Sequence, residues 1–415
     1  MARKMKDSGI EWIGEIPEGW EVVPVKRLCT MQAGKNLTSE QIAPEGAYPV
    51  YGGNGIRGFF SDYNCDGQFL TVGRQGALCG NVHKINGKVW ATEHAVITTP
   101  SSYAILDFLY YLLIGMDLNQ YVSSTAAQPG LAVGTLLNLK TCYPCSTLEQ
   151  TQISNYLNAK CSEIDTMLSR TRSSIEEYKK LKQAVITQAV TKGVRGEREM
   201  KNSKIEWVGN IPIDWNTIKL KYCTYIRARL GWKALKADEY VEIGFPFLSA
   251  FNIVNNTLQF TNLNYITQFR YDESPEIQLS NGDVLLVKDG AGIGKCAIVE
   301  NMPMPSTVNG SIAVVSVTNS LIPKYLYYYF LSKMFQQHID LLKDGMGVPH
   351  LFQSDLKEIK IAFPSKDEQK EIADYLDGKC AEIDKLIAKK EQLVKELENY
   401  KKSLIYEVVT GKREV

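Results

Sequence analysis

The most regular pattern of apolar and polar positions lies near the C-terminal end of the chain. After Phe363 and Pro364, positions 376, 380, 383, 387, 390, 394, 397, 401, 404 and 408 advance in alternating steps of four and three. They read Leu376, Cys380, Ile383, Ile387, Lys390, Val394, Leu397, Lys401, Leu404 and Val408, the seam of a long amphipathic helix. Subtracting 219 gives a second seam at Leu157, Cys161, Ile164, Leu168, Thr171, Ile175, Tyr178, Lys182, Val185 and Ala189. Polar residues interrupt both in the same two layers, Thr171 with Lys390 and Lys182 with Lys401. A run of about 43 residues is roughly 65 Å long at about 1.5 Å per residue, more than one small domain covers. Each seam therefore needs a partner of similar length, and the other helix is the obvious one. Connectivity makes the pair antiparallel, because the first helix ends at the second globe and the second helix must run back. The expected fold is α/β (α+β): two strand-rich globular domains at opposite ends of a long antiparallel two-helix coiled coil, with pseudo-two-fold symmetry.

The chain also repeats itself over long distances. Residues 6–20, KDSGIEWIGEIPEGW, return as residues 201–215, KNSKIEWVGNIPIDW, at an offset of 195. Pro144, Glu149-Gln150, Tyr156-Leu157 and residues 160–165 (KCSEID) match Pro364, Glu368-Gln369, Tyr375-Leu376 and residues 379–384 (KCAEID) at an offset of 219. Between these anchors only echoes survive, such as Arg74-Gln75-Gly76 with Gly80 beside Lys288-Asp289-Gly290 with Gly294. A fixed frame with a free middle suits a duplicated scaffold whose copies meet different targets, although two drifted copies with one role would look similar. The boundaries that follow are residues 1–147 and 201–364 for the two recognition domains, 148–200 for the first helix and its linker, and 365–415 for the second helix. Turn signals at 51–55 (YGGNG), Asn86-Gly87 and 281–283 (NGD), with alternation over 283–288, predict short strands. Helices are predicted over 105–114 and 323–342.

Composition narrows the class. With 415 residues and 44% apolar content the chain can build two or three cores. It has no apolar run of membrane-spanning length and a polar N-terminus, which predicts a cytoplasmic protein without membrane contact. Nine cysteines at irregular spacings predict reduced thiols used as small apolar groups. Net charge is +1, and the four segments above balance closely, Lys plus Arg against Asp plus Glu standing at 11 to 12, 9 to 7, 16 to 15 and 11 to 12. Any affinity for nucleic acid must therefore come from local patches.

Residues 216–237 hold such a patch and include no acid: Lys219, Lys221, Arg227, Arg229, Lys233 and Lys236, interleaved with Tyr222, Tyr225 and Trp232. Long cations neutralise phosphates, and Arg adds bidentate bonds to guanine. A solvated basic strand edge would have the same composition. Candidates in the first domain are Lys35, Arg57 in its glycine-rich loop, Arg74 with Gln75, and His83 with Lys84 and Lys88; Lys288 is the counterpart of Arg74. The tryptophans 12, 20, 207 and 215 recur in both copies, so they are expected to pack the frame, with discrimination lying where the copies differ.

Signs of catalysis are incomplete. Residues 289–296, DGAGIGKC, lack the first glycine and the hydroxyl of a phosphate loop. Cys142 and Cys145 have no second pair, and residues 367–370 (DEQK) open a helix where acids suit the dipole. The four histidines show no paired spacing, and no Asn or Asp precedes Pro-Pro and an aromatic residue as in base amino-methyltransferases. No catalytic residue, metal site or cofactor of the chain's own is expected.

The repeated SGIEWIGEIP start, residues 230–235 (LGWKAL), 282–286 (GDVLL), and Pro364 followed by Glu368-Gln369 and a long helix resemble the specificity (S) subunits of type I restriction-modification systems over essentially the whole chain. The resemblance implies two target-recognition domains that each read half of an asymmetric bipartite site in double-stranded DNA, with helices acting as a ruler. It implies that the helices, including Leu157, Ile164, Leu168, Ile175, Leu376, Ile383, Ile387, Val394 and Leu397, dock two methyltransferase subunits and through them restriction subunits. S-adenosylmethionine would then belong to the methyltransferase, and ATP and Mg to the restriction subunit. One departure between the copies is His350-Leu351 after Val348-Pro349, where the first has Gly130-Leu131 after Gln128-Pro129. A structural adaptor whose globes bind protein is the alternative class; phosphate contacts would give a steep salt dependence that an adaptor lacks.

Overall fold

The structure is a computed structural model and describes residues 3–75, 79–122, 130–228, 235, 237–343 and 349–415. The chain forms two compact units, one of residues 1–172 and 391–415 and one of residues 173–390. Two helices dominate the secondary structure, Thr147–Lys192 and Lys366–Val409.

In the first unit a four-stranded antiparallel sheet has the spatial order Cys29–Ala33, Ala95–Pro100, Gln68–Gly73, Val82–Asn86. The second unit repeats that order with Thr224–Arg227, Ile312–Val317, Val284–Val287 and Cys296–Ile298. A smaller sheet accompanies each: Tyr48–Gly52 runs antiparallel to Gly55–Phe60 and parallel to Trp90–Ala91, as Phe245–Leu248 does to Asn264–Ile266 and Thr307–Val308. The divergent middles thus share one topology. Side chains that point to a shared core need only be apolar, so sequence drifts faster than strand order.

Each core is closed by the last turns of a long helix. Leu404, Ile405, Val408 and Val409 pack with Trp20, Phe108 and Leu112 in the first unit. Ile186, Ala189 and Val190 pack with Trp215, Tyr325 and Leu326 in the second. Both helices stop at a glycine in the left-handed region, Gly411 at φ +74° and Gly193 at φ +76°, and both glycines lie against the tryptophan. A side chain there would meet Pro17 and Trp20, or Arg198, Glu368 and Trp215.

The repeated Glu-Gln pair explains why the frame is kept. Trp20 Nε1 donates to Glu149 at 3.0 Å and Trp215 Nε1 to Glu368 at 2.9 Å. Arg3 and Arg198 complete each cluster by pairing with that carboxylate and lying over the indole. The next residue, Gln150 or Gln369, bonds backbone on both sides of it: Ile105 N and Tyr103 O in one unit, Ile322 N and Ser320 O in the other. The tryptophans are frame residues, as their repetition implied.

Within each unit the paired helix segments run antiparallel. In the first, Asp165 meets Lys401 at 2.7 Å and Arg172 meets Glu398 at 2.5 Å. In the second, Lys182 meets Asp384 at 2.6 Å, and Arg195, just beyond the helix end, meets Glu371 at 2.7 Å. Leu157, Ile164, Leu168, Ile175, Leu376 and Ile383 are buried, while Ile387, Val394 and Leu397 are half-buried. Such exposed pairs contribute at most about 1 kcal/mol each, so they fix register while the apolar seam supplies the stability.

Two differences from the sequence reading have local causes. The helix predicted over 323–342 is broken into Pro323–Leu331 and Lys333–Leu342 because Ser332 is extended (ψ 143°) and its hydroxyl accepts from Phe335 N, starting a new helix. The glycines of residues 289–296 join two antiparallel strands, not a strand to a helix, so no phosphate loop forms. Seven of the nine cysteines are buried, all are free, and burial pushes the Cys142 thiol up to about 12. Among the described residues no helix is long and apolar enough to cross a membrane.

The two domain starts offer a stability test. Ser8-Gly9-Ile10 and Ser203-Lys204-Ile205 form the same turn, with Gly9 at φ +68° and Lys204 at φ +60°. A side chain in the left-handed region costs about 1–2 kcal/mol, and glycine's extra unfolded freedom returns part of that. Lys204→Gly should therefore stabilise the second unit by up to about 1 kcal/mol; denaturant titration showing a loss would contradict this account of the turn.

Candidate nucleic-acid interface

The parts of the two middles that differ most in chemistry sit on one shared backbone frame. In the first unit the loop after Gln68–Gly73 closes with Gly80 N donating to Gly73 O at 2.8 Å, and Gly73 N to Asn81 O at 2.9 Å. In the second, Gly294 N donates to Val287 O at 3.0 Å and Val287 N to Lys295 O at 2.8 Å. The loop's first residue is held by two neighbours in each case. Arg74 N donates to His94 O and Leu131 N to Arg74 O, both at 2.9 Å. Lys288 N donates to Ser311 O at 2.8 Å and Leu351 N to Lys288 O at 2.9 Å. Isolated bridges then pair Gln75 with Gly130 and Asp289 with His350. A further segment joins through Tyr51 O, which accepts from Thr92 N at 2.9 Å, as Leu248 O accepts from Asn309 N at 2.8 Å.

Each unit thus carries an edge built from equivalent segments: the end of the smaller sheet's central strand, the glycine loop, the following turn and the residues before a short helix. The side chains at equivalent places differ throughout. Arg74, Gln75, Glu93, His94 and Gly130 stand where the second unit has Lys288, Asp289, Gly310, Ser311 and His350. After the central strand the first unit places Gly53 and Asn54, the second Ala250 and Phe251, whose ring is 92% exposed. Gly53 is required, since a Cβ would lie 2.8 Å from Gln75 O.

On the first unit's edge several polar atoms are buried without a partner among the described residues: Thr92 Oγ1, Glu93 Oε2, His94 Nδ1 and, on the adjoining strand, His83 Nε2. Burial also pushes the His83 imidazole below its usual range, so it favours the neutral form. The second edge is paired differently. Lys288 Nζ bonds Asp289 at 2.7 Å, and the other Asp289 oxygen bonds His350 Nδ1.

The residues picked from sequence divide among several places. Arg74, Gln75 and Lys288 lie on the edges. Lys35 and Arg57 are exposed, and the Arg57 alkyl chain packs on Gly52. Lys84 faces elsewhere, bonded to Asp107 at 2.8 Å and Asn158 at 3.3 Å over the rings of Tyr110 and Tyr111. Much of the charge in the basic stretch is used within the protein. Lys219 and Lys221 both bond Glu358 at 2.6 Å, and these two lysines hold the Glu358 carboxyl down at about 2. Arg227 bonds Ser316 at 2.7 Å, Asp283 at 3.0 Å and Gln278 O at 3.3 Å, joining strands from within. Arg229, Trp232, Lys233 and Lys236 lie outside the described residues. Glu93, His94, Asn54 and Phe251 were not selected from sequence, because only the folded turns bring them beside the glycine loops. No group of three metal-ligating side chains occurs among the described residues.

Residues 17–177 and 212–399 match a family model described as the type I restriction modification DNA specificity domain. The chain is 25% identical over 417 residues to the type I restriction enzyme MjaVIII specificity subunit of Methanocaldococcus jannaschii, covering 96% of this chain and 93% of that one. It is 40% identical over 159 residues to the type I restriction enzyme EcoprrI specificity subunit of Escherichia coli, 37% of either chain. A chain from a solved structure described as the basis of complex assembly and conformational transition of the type I R-M system has the same fold, with TM-score 0.70 at 15% identity over 96% of this chain and 99% of that one.

Proposed function

Because this chain belongs to the type I restriction modification DNA specificity family, we propose that it reads an asymmetric, two-part site in double-stranded DNA and positions two methyltransferase subunits, and through them restriction subunits, without catalysing either reaction. The observation that carries this reading is the pair of edges: one backbone frame made twice, with different side chains at each equivalent place. Two readers built alike have the same approach to a duplex, while different side chains at the edge select different bases. His350 in one copy and Gly130 in the other give the two edges different hydrogen-bonding groups at the same place.

Phosphate contacts in this reading come from exposed cations such as Lys35, Arg57 and Lys295. They supply affinity and salt dependence but no sequence preference. S-adenosylmethionine belongs to the methyltransferase partner, and ATP and Mg to the restriction subunit.

Purified chain mixed with S-adenosylmethionine and DNA is expected to transfer no methyl group until a partner methyltransferase is added. Mapping the modified bases should then return two half-sites of unrelated sequence at a fixed spacing. Methyl transfer by the chain alone, or a continuous palindromic site, would overturn the proposal.

A further inference from the structure

The linked Lys288, Asp289 and His350 of the second unit ask for an explanation that stability does not supply. The Lys288 side chain is buried, but His350 and Asp289 are partly exposed, 36% and 27%, and a pair as open as theirs adds little to folding. The backbone bridge they decorate does not depend on them either, since Gln75 and Gly130 form it in the first unit with no side-chain pair. Yet the imidazole is fixed on several sides. Asp289 takes Nδ1, the ring of Phe352 meets it edge-on at 4.5 Å between centroids, and the buried Leu351 anchors the backbone beside it. Gly290 N donates to Pro349 O at 3.1 Å and ties the same segment to the loop from the other side. A half-exposed ring held this firmly is prepared to meet something outside the protein.

Charge and hydrogen-bond character indicate what it meets. In the uncharged tautomer that fits a carboxylate on Nδ1, the hydrogen sits on Nδ1 and Nε2 is an acceptor; among the described residues Nε2 has no partner. Both Asp289 oxygens keep a further lone pair beside their bonds to Lys288 and His350. What such a pair accepts is an N–H donor. In the major groove those are the exocyclic amino groups of adenine and cytosine.

We infer that His350, oriented by Asp289, recognises the exocyclic amino group of one adenine or cytosine in the half-site read by the second unit. The inference rests on the DNA-reading function proposed above. His350 makes the contact, and Asp289 is a positioning residue.

The test uses the full chain assembled with its partner methyltransferase and a DNA library randomised in both half-sites. His350→Ala should lower discrimination at a single position of one half-site by about tenfold, and leave the other half-site as in the wild type. Asp289→Asn should weaken preference at that same position, which a merely structural change would not single out; thermal melting reports whether each variant is folded. Two results overturn the inference while leaving the parent function standing: folded variants that select the wild-type sequence unchanged, or a uniform loss of affinity across all sequences. A wild-type assembly with no sequence preference at all would overturn the parent function and this inference together.

Discussion

Ending the chain after Lys402 should unfold the first unit and leave the second folded. The lost segment carries Leu404, Ile405, Val408 and Val409, each at most 2% exposed and part of the first unit's core. Burying such a side chain contributes roughly 1.5–3 kcal/mol, so four together contribute roughly 6–12 kcal/mol. That matches the whole stability of an ordinary domain, about 5–15 kcal/mol. The same segment supplies Tyr406, whose hydroxyl donates to Trp12 O at 2.8 Å, and Gly411 against Trp20. Limited proteolysis should cut within residues 20–144 of the truncated chain and spare residues 201–364. Equal resistance of both stretches would show that the helix end is an ornament on a self-sufficient globe.

The second large effect concerns the buried carboxylate of the Trp-Arg-Glu cluster. Glu368→Ala should destabilise the second unit by about 3–5 kcal/mol, because it leaves Arg198 partly buried and without its main partner and strips Trp215 Nε1 of its acceptor. Arg198 keeps the weaker contacts with Asp214 at 3.5 Å and the Lys192 carbonyl at 3.4 Å. The equivalent Glu149→Ala should cost less, about 1–2 kcal/mol, since water reaches that pair: Glu149 is 28% exposed at its side chain against 1% for Glu368. Glu368→Gln should fall between them by keeping an acceptor for the indole while losing the charge. Chemical denaturation of the three variants settles the order, and equal losses at 149 and 368 would show that burial does not govern the cluster.

These two effects explain why some parts of the molecule were legible early. Glu149-Gln150 and Glu368-Gln369 stood out because the acid bonds an indole and the amide bonds backbone through both its oxygen and its nitrogen, roles that both copies share. The helix seams were legible for a similar reason. Core positions such as Leu157 and Leu376 are constrained by a period that any single chain displays.

The candidate interface was legible only in outline. Arg74-Gln75 and Lys288-Asp289 could be matched as echoes, and His350 against Gly130 as a departure, yet nothing in the sequence joined Asp289 to His350 across 61 residues. Arg227 shows the opposite failure. It looked free in a stretch without acids, but Asp283 and Ser316 reach it from strands 56 and 89 residues away. Lys219 and Lys221 are likewise claimed by Glu358, 139 and 137 residues on.

By itself, the order of amino acids determined the duplication, the two long helices, the mixed α/β class and the frame tryptophans, because periodicity and repetition are local properties that survive without knowing any distant contact. Tertiary structure alone decided which cations remain available to a ligand and which side chains share an edge. Charge is neutralised through space at about 3 Å, and chain separation says nothing about that distance until the strands are in register.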